Sequence, residues 1–237
     1  MSRAEFLDAI WADVTAVVEP TPRALWISLA VVAVSVAVPF LWHLARHMVT
    51  LVHEAGHAVV ATLLGREVRG IRLHADTSGL TTSRGDARRL PLAFKAFAGY
   101  PAPGVVGLAV AWAVAAGHGV AVLWVAVAVL VAVLMQVRNV YGVLVVVVMG
   151  AALGVAAAAL DDEWRVGLAS GLAWLLMVGG VRAVVELQTS RGRGARGSDA
   201  DALARLTHVP GAVWVALFWL TSAACLAAGA WLLLGAL

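Results

Sequence analysis

Residues 53–57 read His-Glu-Ala-Gly-His. On a helix, positions i and i+4 share a face, so His53 and His57 can offer imidazole nitrogens to one Zn²⁺ at about 2.0–2.1 Å. Glu54 follows His53 directly and points beside that metal, where its carboxylate can accept a proton from zinc-bound water. A catalytic zinc takes three protein ligands and leaves the fourth position to water or substrate. The spacing is that of metal-assisted hydrolysis. In a chain with seven His, chance produces the pattern only about 0.005 times. Its location argues more strongly, because ionisable groups inside an apolar span are costly and mark function. The competing reading is a polar helix-packing patch or an ion path.

The elements that must carry these residues follow from composition. Of 237 residues, 62% are hydrophobic and 13% charged, with a mean hydropathy of +0.91. A soluble domain has about 45–50% apolar and about 25% charged residues, so a water-soluble globule is excluded, as is a disordered chain. The single cysteine, Cys225, excludes an intrachain disulfide, and a net charge of +3 implies no nucleic-acid partner. Uncharged runs of about 20 residues predict seven transmembrane helices, over 24–42, 48–65, 92–117, 119–137, 139–160, 164–187 and 210–236. The fold class is therefore an all-α polytopic membrane protein, with one membrane-embedded domain over 23–237 behind a lead-in over 1–22.

Glu5, Asp8, Asp13 and Glu19 argue against a cleavable signal peptide in that lead-in. Its Phe6, Ile10, Trp11, Val14, Val17 and Val18 suit an interfacial helix, with a plain cytosolic lead-in as the alternative. Threading the spans with the N-terminus inside leaves only Arg46 and Arg165 outside, among 17 Lys and Arg. The expected topology is N-terminus cytoplasmic and C-terminus outside. The preference for Arg over Lys, with abundant Ala, Val and Gly, suggests a GC-rich bacterial genome, so the expected location is a bacterial plasma membrane. On this threading His57 lies about 12 Å below the inner boundary, within reach of an aqueous cavity.

Outside the spans, Gly70-Ile71-Arg72-Leu73-His74 alternates as a strand, and Asp76-Thr77-Ser78-Gly79 forms a turn before Leu80-Thr81-Thr82-Ser83. A β-hairpin on the cytosolic side is expected. An exposed strand edge can pair with an extended substrate, which makes Ile71 and Leu73 candidates for substrate binding. Residues 190–197 read as a basic loop that anchors topology. His43 and His47 flank an outer loop at the interface, and His74, His118 and His208 are not singled out. No internal repeat suggests an inverted-repeat transporter.

The His-Glu-Ala-Gly-His helix, the basic segment with its hairpin, and Ala98-Gly99-Tyr100-Pro101 at the mouth of the next span together resemble the site-2 protease family of zinc intramembrane metalloproteases. The resemblance covers roughly residues 40–220. It implies one Zn²⁺ per chain, Glu54 as general base and later proton donor, and a transmembrane protein or peptide as substrate. The family's Asp-Gly pair, which supplies its third zinc ligand, is absent from this sequence. Arg138-Asn139-x-Tyr141-Gly142 and the stretch from Ser198 to Ala204 look like those of compact bacterial members without an appended soluble domain.

Ser198 and Asp201 have capping-box spacing, which ties Asp201 to a helix start and leaves Asp199 as the preferred third ligand. A solvated loop acid is the alternative for Asp199. A ligand role requires residues 198–209 to dip back into the membrane, with Pro210 marking the turn. Asn139 is a candidate to bond the zinc-bound water or the substrate backbone, or else a polar span end. A metal-transporting protein and a catalytically inactive scaffold are the rival functions.

Overall fold

The computed structural model describes residues 2–85 and 88–235, so residue 236 of the last expected span and residue 237 of the expected domain fall outside the described residues. Helix α1 (Arg3–Thr15) opens with a capping box in which the Ser2 hydroxyl accepts from the Glu5 N–H and the Glu5 carboxylate accepts from the Ser2 N–H. Thr21 caps α2 (Pro22–Ala37), and α3 (Pro39–Leu63) follows at a 107° bend. Pro39 makes that bend, having no N–H to donate and a ring that crowds the carbonyl one turn earlier. Arg182 holds it, donating to the freed Val36 carbonyl and lying 4.4 Å over the Trp42 ring.

This corrects the expected break between spans 24–42 and 48–65. Residues 43–47 form no loop but lie inside α3, and His47 is buried there, with its Nε2 2.9 Å from the Tyr141 hydroxyl.

Strands β1 (Glu67–Leu73) and β2 (Gly79–Arg84) pair antiparallel as the expected hairpin. Helix α4 (Arg89–Ala98) and helix α5 (Pro101–Ala115) then meet at a 55° bend before Pro101, where one span over 92–117 was expected. The rest of the chain is α6 (Gly119–Leu134), α7 (Val140–Ala159), α8 (Asp162–Gly192), α9 (Asp199–Thr207) and α10 (Gly211–Leu234). Helices α7, α8 and α10 are each long and apolar enough to cross a membrane. The bent pairs α2–α3 and α4–α5 pass the same test when each pair is one span, and α6 is a shorter apolar helix. The chain is a multi-pass membrane protein, but not seven separate full-length helices. Uncharged runs measure apolar length, whereas prolines decide where the backbone turns.

Helix α8 is the central post. Ala24 of α2 lies against Gly167, Ser28 lies near Gly171, and Val36 meets Arg182, so α2 runs parallel to α8. Helix α10 runs antiparallel to it, with Gly229 against Met177 and Phe218 clustered with Val184 and Leu187. The lead-in is tied to the start of α8. Asp13 meets Arg165 at 2.9 Å, Thr21 donates to Glu163 at 3.1 Å, and the Val18 N–H donates to the Gly117 carbonyl at 2.8 Å. The lead-in and the C-terminal end of α10 therefore share one end of the bundle, opposite the hairpin. The threading of the sequence counts 24–42 and 48–65 as two spans and so sets the termini on opposite sides of the membrane; taken as one bent pair, α2 and α3 count once.

Candidate metal centre

His53, Glu54 and His57 occupy one face of α3, and Glu54 and His57 are buried. Asp199 reaches them from the first turn of α9. That helix starts with a capping box between Ser198 and Asp201, braced by Arg191, which donates to both side chains. Ala200 and Leu203 bury its inner face against Ala93, Val215 and Phe218. The fold-back of residues 198–209 is thus a short amphipathic helix, ended by His208 in the left-handed conformation just before Pro210. Although partial burial acts to raise it, the carboxyl of Asp201 is held down at about 2 by Arg191 and by Ser198. Asp201 is thereby committed to the helix start, and Asp199 alone turns inward.

The three inward atoms form a tight triangle. His53 Nε2 and His57 Nε2 are 3.1 Å apart, and Asp199 Oδ2 lies 3.2 Å from the first and 3.3 Å from the second. A tetrahedral ion with bonds of 2.0–2.1 Å sets its ligand atoms about 3.3–3.4 Å apart. Two imidazole nitrogens and a carboxylate oxygen at these separations fit a zinc ion. Among the described residues, this is the one group of three such donors able to hold a metal. His57 Nδ1 lies 2.7 Å from the Lys95 carbonyl, so Nδ1 carries the proton and Nε2 presents its lone pair to the centre.

The bend between α4 and α5 makes close approach possible. A Cβ at Gly99 would lie 2.5 Å from the His57 ring and 2.6 Å from that of His53. Tyr100 then stands edge-on to His53 at 4.8 Å and stacks on Phe218 at 4.8 Å, which fixes its ring beside the triangle. Two polar cavities flank the site. One of ≈ 560 Å³ includes Arg46, Thr50, Ser78 and Glu186, and the other, of ≈ 550 Å³, includes Lys95, Asp199 and Arg205. His53, Glu54, Gly79 and Tyr100 line both cavities.

Three expected substrate residues sit elsewhere. Ile71 and Leu73 are 1% exposed, with side chains in the main core. Their backbone groups are also taken: the Ile71 N–H donates to Gln136 and its carbonyl accepts from Arg138. Asn139 imitates a strand, accepting from the Leu73 N–H at 3.2 Å and donating to the Leu73 carbonyl at 2.7 Å. These three residues seat the hairpin on the α6–α7 connection and line neither polar cavity. Because Ile71 and Leu73 direct their backbone groups that way, their partners Thr81 and Gly79 direct theirs outward, beside Glu54. Among the described residues, the edge with open backbone N–H groups at the site is that of β2, not β1, with the Thr81 carbonyl accepting from Lys95 Nζ at 3.2 Å.

Sequence reasoning missed Thr81 and the Lys95 carbonyl, and it gave Gly99 and Tyr100 no role beyond the resemblance they help to carry. The available signals were the strand alternation that puts Gly79 and Thr81 on one face and the Gly-Tyr-Pro that bends the chain beside the histidines. A family model described as Peptidase M50B-like matches residues 26–229. No curated protein and no solved structure matches the chain.

Proposed function

Since the chain belongs to the Peptidase M50B-like family, we propose that it is a zinc-dependent intramembrane endopeptidase, hydrolysing a peptide bond in or near a transmembrane segment of another membrane protein. The observation that carries this reading is the convergence of His53, His57 and Asp199 ligand atoms within 4.8 Å of one another, beside Glu54. Zinc held by those three residues supplies Lewis acidity and a water acidic enough to lose a proton near neutral pH.

The chain's own residues do the rest. Glu54 takes the proton of the attacking water and returns it to the nitrogen of the departing amine. The Lys95 carbonyl keeps the His57 ring in the tautomer that exposes Nε2. A peptide bond within a helix is shielded by its own hydrogen bonds, so the substrate must be locally extended. The outward N–H groups of Gly79 and Thr81 and the outward carbonyl of Gly79 offer such a segment backbone partners whatever its side chains. The two polar cavities then receive residues on either side of the cut.

Exposed Arg69, Arg72, Arg84, Arg89, Arg138 and Arg205 all belong to the hairpin end. By the excess of basic residues on cytoplasmic faces, that end faces the cytosol of a bacterial plasma membrane, and both termini face away from it.

The test is metal analysis of the purified chain, joined to mapping of new N-termini in membranes expressing either the wild type or Glu54→Gln. About one zinc per chain and cleaved membrane-protein termini that vanish with Glu54→Gln are expected. Histidine-dependent metal flux into vesicles without new termini would transfer the site to transport. A zinc-loaded chain with neither activity would make it a scaffold.

A further inference from the structure

Glu54 is held from the side by the hairpin. The Thr81 hydroxyl lies 2.6 Å from Glu54 Oε2 and 3.0 Å from the Glu54 carbonyl, and the shorter contact has the length of a charge-assisted hydrogen bond to a carboxylate. Both side chains are buried, at 7% and 5% exposure, so the bond is not traded for water. Gly79 lies two residues earlier on the same face of β2, and a Cβ there would stand 2.6 Å from Glu54 Cγ and 2.7 Å from Oε1. Glu54 is thus clamped by an absent side chain at Gly79 and a hydroxyl at Thr81, while Oε1 receives none of the hydrogen bonds found among the described residues.

We propose that Thr81 is a positioning residue for Glu54. Its hydroxyl occupies Oε2 and holds the carboxylate, so that Oε1 is the oxygen that takes and returns the proton. The inference rests on the metallopeptidase reading above. A glutamate has three side-chain torsions, and Glu54 borders both polar cavities, so an unheld carboxylate would have room to turn away. A displacement of about 1 Å costs about 10²-fold in rate. The arrangement also links the base to the substrate edge. Thr81 presents its own N–H and C=O on that edge, and its carbonyl accepts from Lys95 Nζ at 3.2 Å. One residue therefore touches the catalytic base through its side chain and faces the substrate path through its backbone.

The test uses the full chain in detergent, loaded with Zn²⁺ or with Co²⁺ as a visible reporter, and acetohydroxamate as the probe. A metal-bound hydroxamate gives its proton to the neighbouring base, so its affinity reads where that carboxylate stands. Thr81→Val removes the hydroxyl at nearly constant size, Thr81→Ala removes it with the opposite packing error, and Thr81→Ser keeps it. All three are expected to retain wild-type metal content and the wild-type cobalt spectrum before the probe is added. Acetohydroxamate affinity is expected to fall about tenfold in Thr81→Val and Thr81→Ala, the effect of one hydrogen bond to a charged group. It should recover in Thr81→Ser and fall no further when Thr81→Val is added to Glu54→Gln. With β-casein as an unfolded substrate, kcat should drop while KM stays within about twofold.

Unchanged affinity in Thr81→Val, or an equal loss on the Glu54→Gln background, overturns the positioning role and leaves the metal reading intact. A wild-type chain that takes up neither metal overturns the metal reading, and this inference falls with it.

Discussion

Two carboxylates tie distant parts of the chain together, one at each end of the bundle. At the lead-in end, Asp13 meets Arg165 at 2.9 Å and the Trp124 indole at 3.0 Å. At the hairpin end, Asp199 meets His53 and His57 at 3.2 and 3.3 Å. The first group is balanced, since a guanidinium neutralises the carboxylate and the indole supplies a further donor. The second is not. His57 has spent its Nδ1 proton on the Lys95 carbonyl, so in the neutral ring Nε2 is an acceptor facing an acceptor. Only a cation between them, proton or metal, satisfies both. Hydrogen-bond distance alone does not separate a structural carboxylate from a metal-binding one. The surplus of acceptors marks the second group, and not the first, as a place for a cation.

The largest break in that contrast is expected from the histidines. Changing both His53 and His57 to Ala should take zinc from about one per chain to none, while Asp13→Ala leaves it unchanged, as metal analysis of the purified variants would show. Stoichiometric zinc in the double variant would remove the basis for the comparison. Next is Glu54→Gln, which keeps size and reach but deletes the base. Peptide cleavage should fall by about 10²–10⁴-fold with zinc retained. Undiminished turnover would mean that another group takes the water's proton.

Asp199→Ala should weaken metal binding and abolish cleavage. Asp201→Ala should cost about 0.5–2 kcal/mol in a thermal melt, the loss of a helix start, with metal affinity kept. A reversed pattern would exchange the roles of the two aspartates. At the other end, Arg165→Ala leaves Asp13 half-buried beside one indole donor, and a loss of about 1–3 kcal/mol is expected with zinc content untouched.

The smallest effect is on pH. The carboxyl of Asp201 is held at about 2 in the folded chain, below its unfolded value of about 3.8. Its contribution is complete above the unfolded value and is lost as pH falls through 2. Wild type and Asp201→Asn should therefore differ most in melting temperature above about pH 4 and converge near pH 2.

The parts legible in the sequence were the local ones. The i, i+4 histidines, the alternating Ile71 and Leu73, and the Ser198–Asp201 spacing each follow from the geometry of one helix or strand, and each of those elements is present. The misreadings were non-local. Ile71 and Leu73 read as an open edge because the segment that covers it, residues 136–139, lies more than sixty positions away. The expected loop at His43 failed because a charge marks a polar residue and not a turn. Pro39 was the actual break, and Arg182, in another helix, satisfies the carbonyl that the break exposes.

By itself, the sequence determined that the chain lives in a membrane, that one helix carries two histidines and a glutamate on one face, and that a hairpin follows it. Those properties reside in composition and in repeats of a few residues, which the regular backbone converts directly into shared faces. The tertiary structure decided how the elements run, which edge of the hairpin is free, and which groups surround Glu54. Asp199, Thr81, Lys95 and Gly99 belong to four other elements or their junctions, and only packing brings them to α3. No local periodicity encodes that convergence. It depends on where two prolines bend the chain and on which small residues let the helices close.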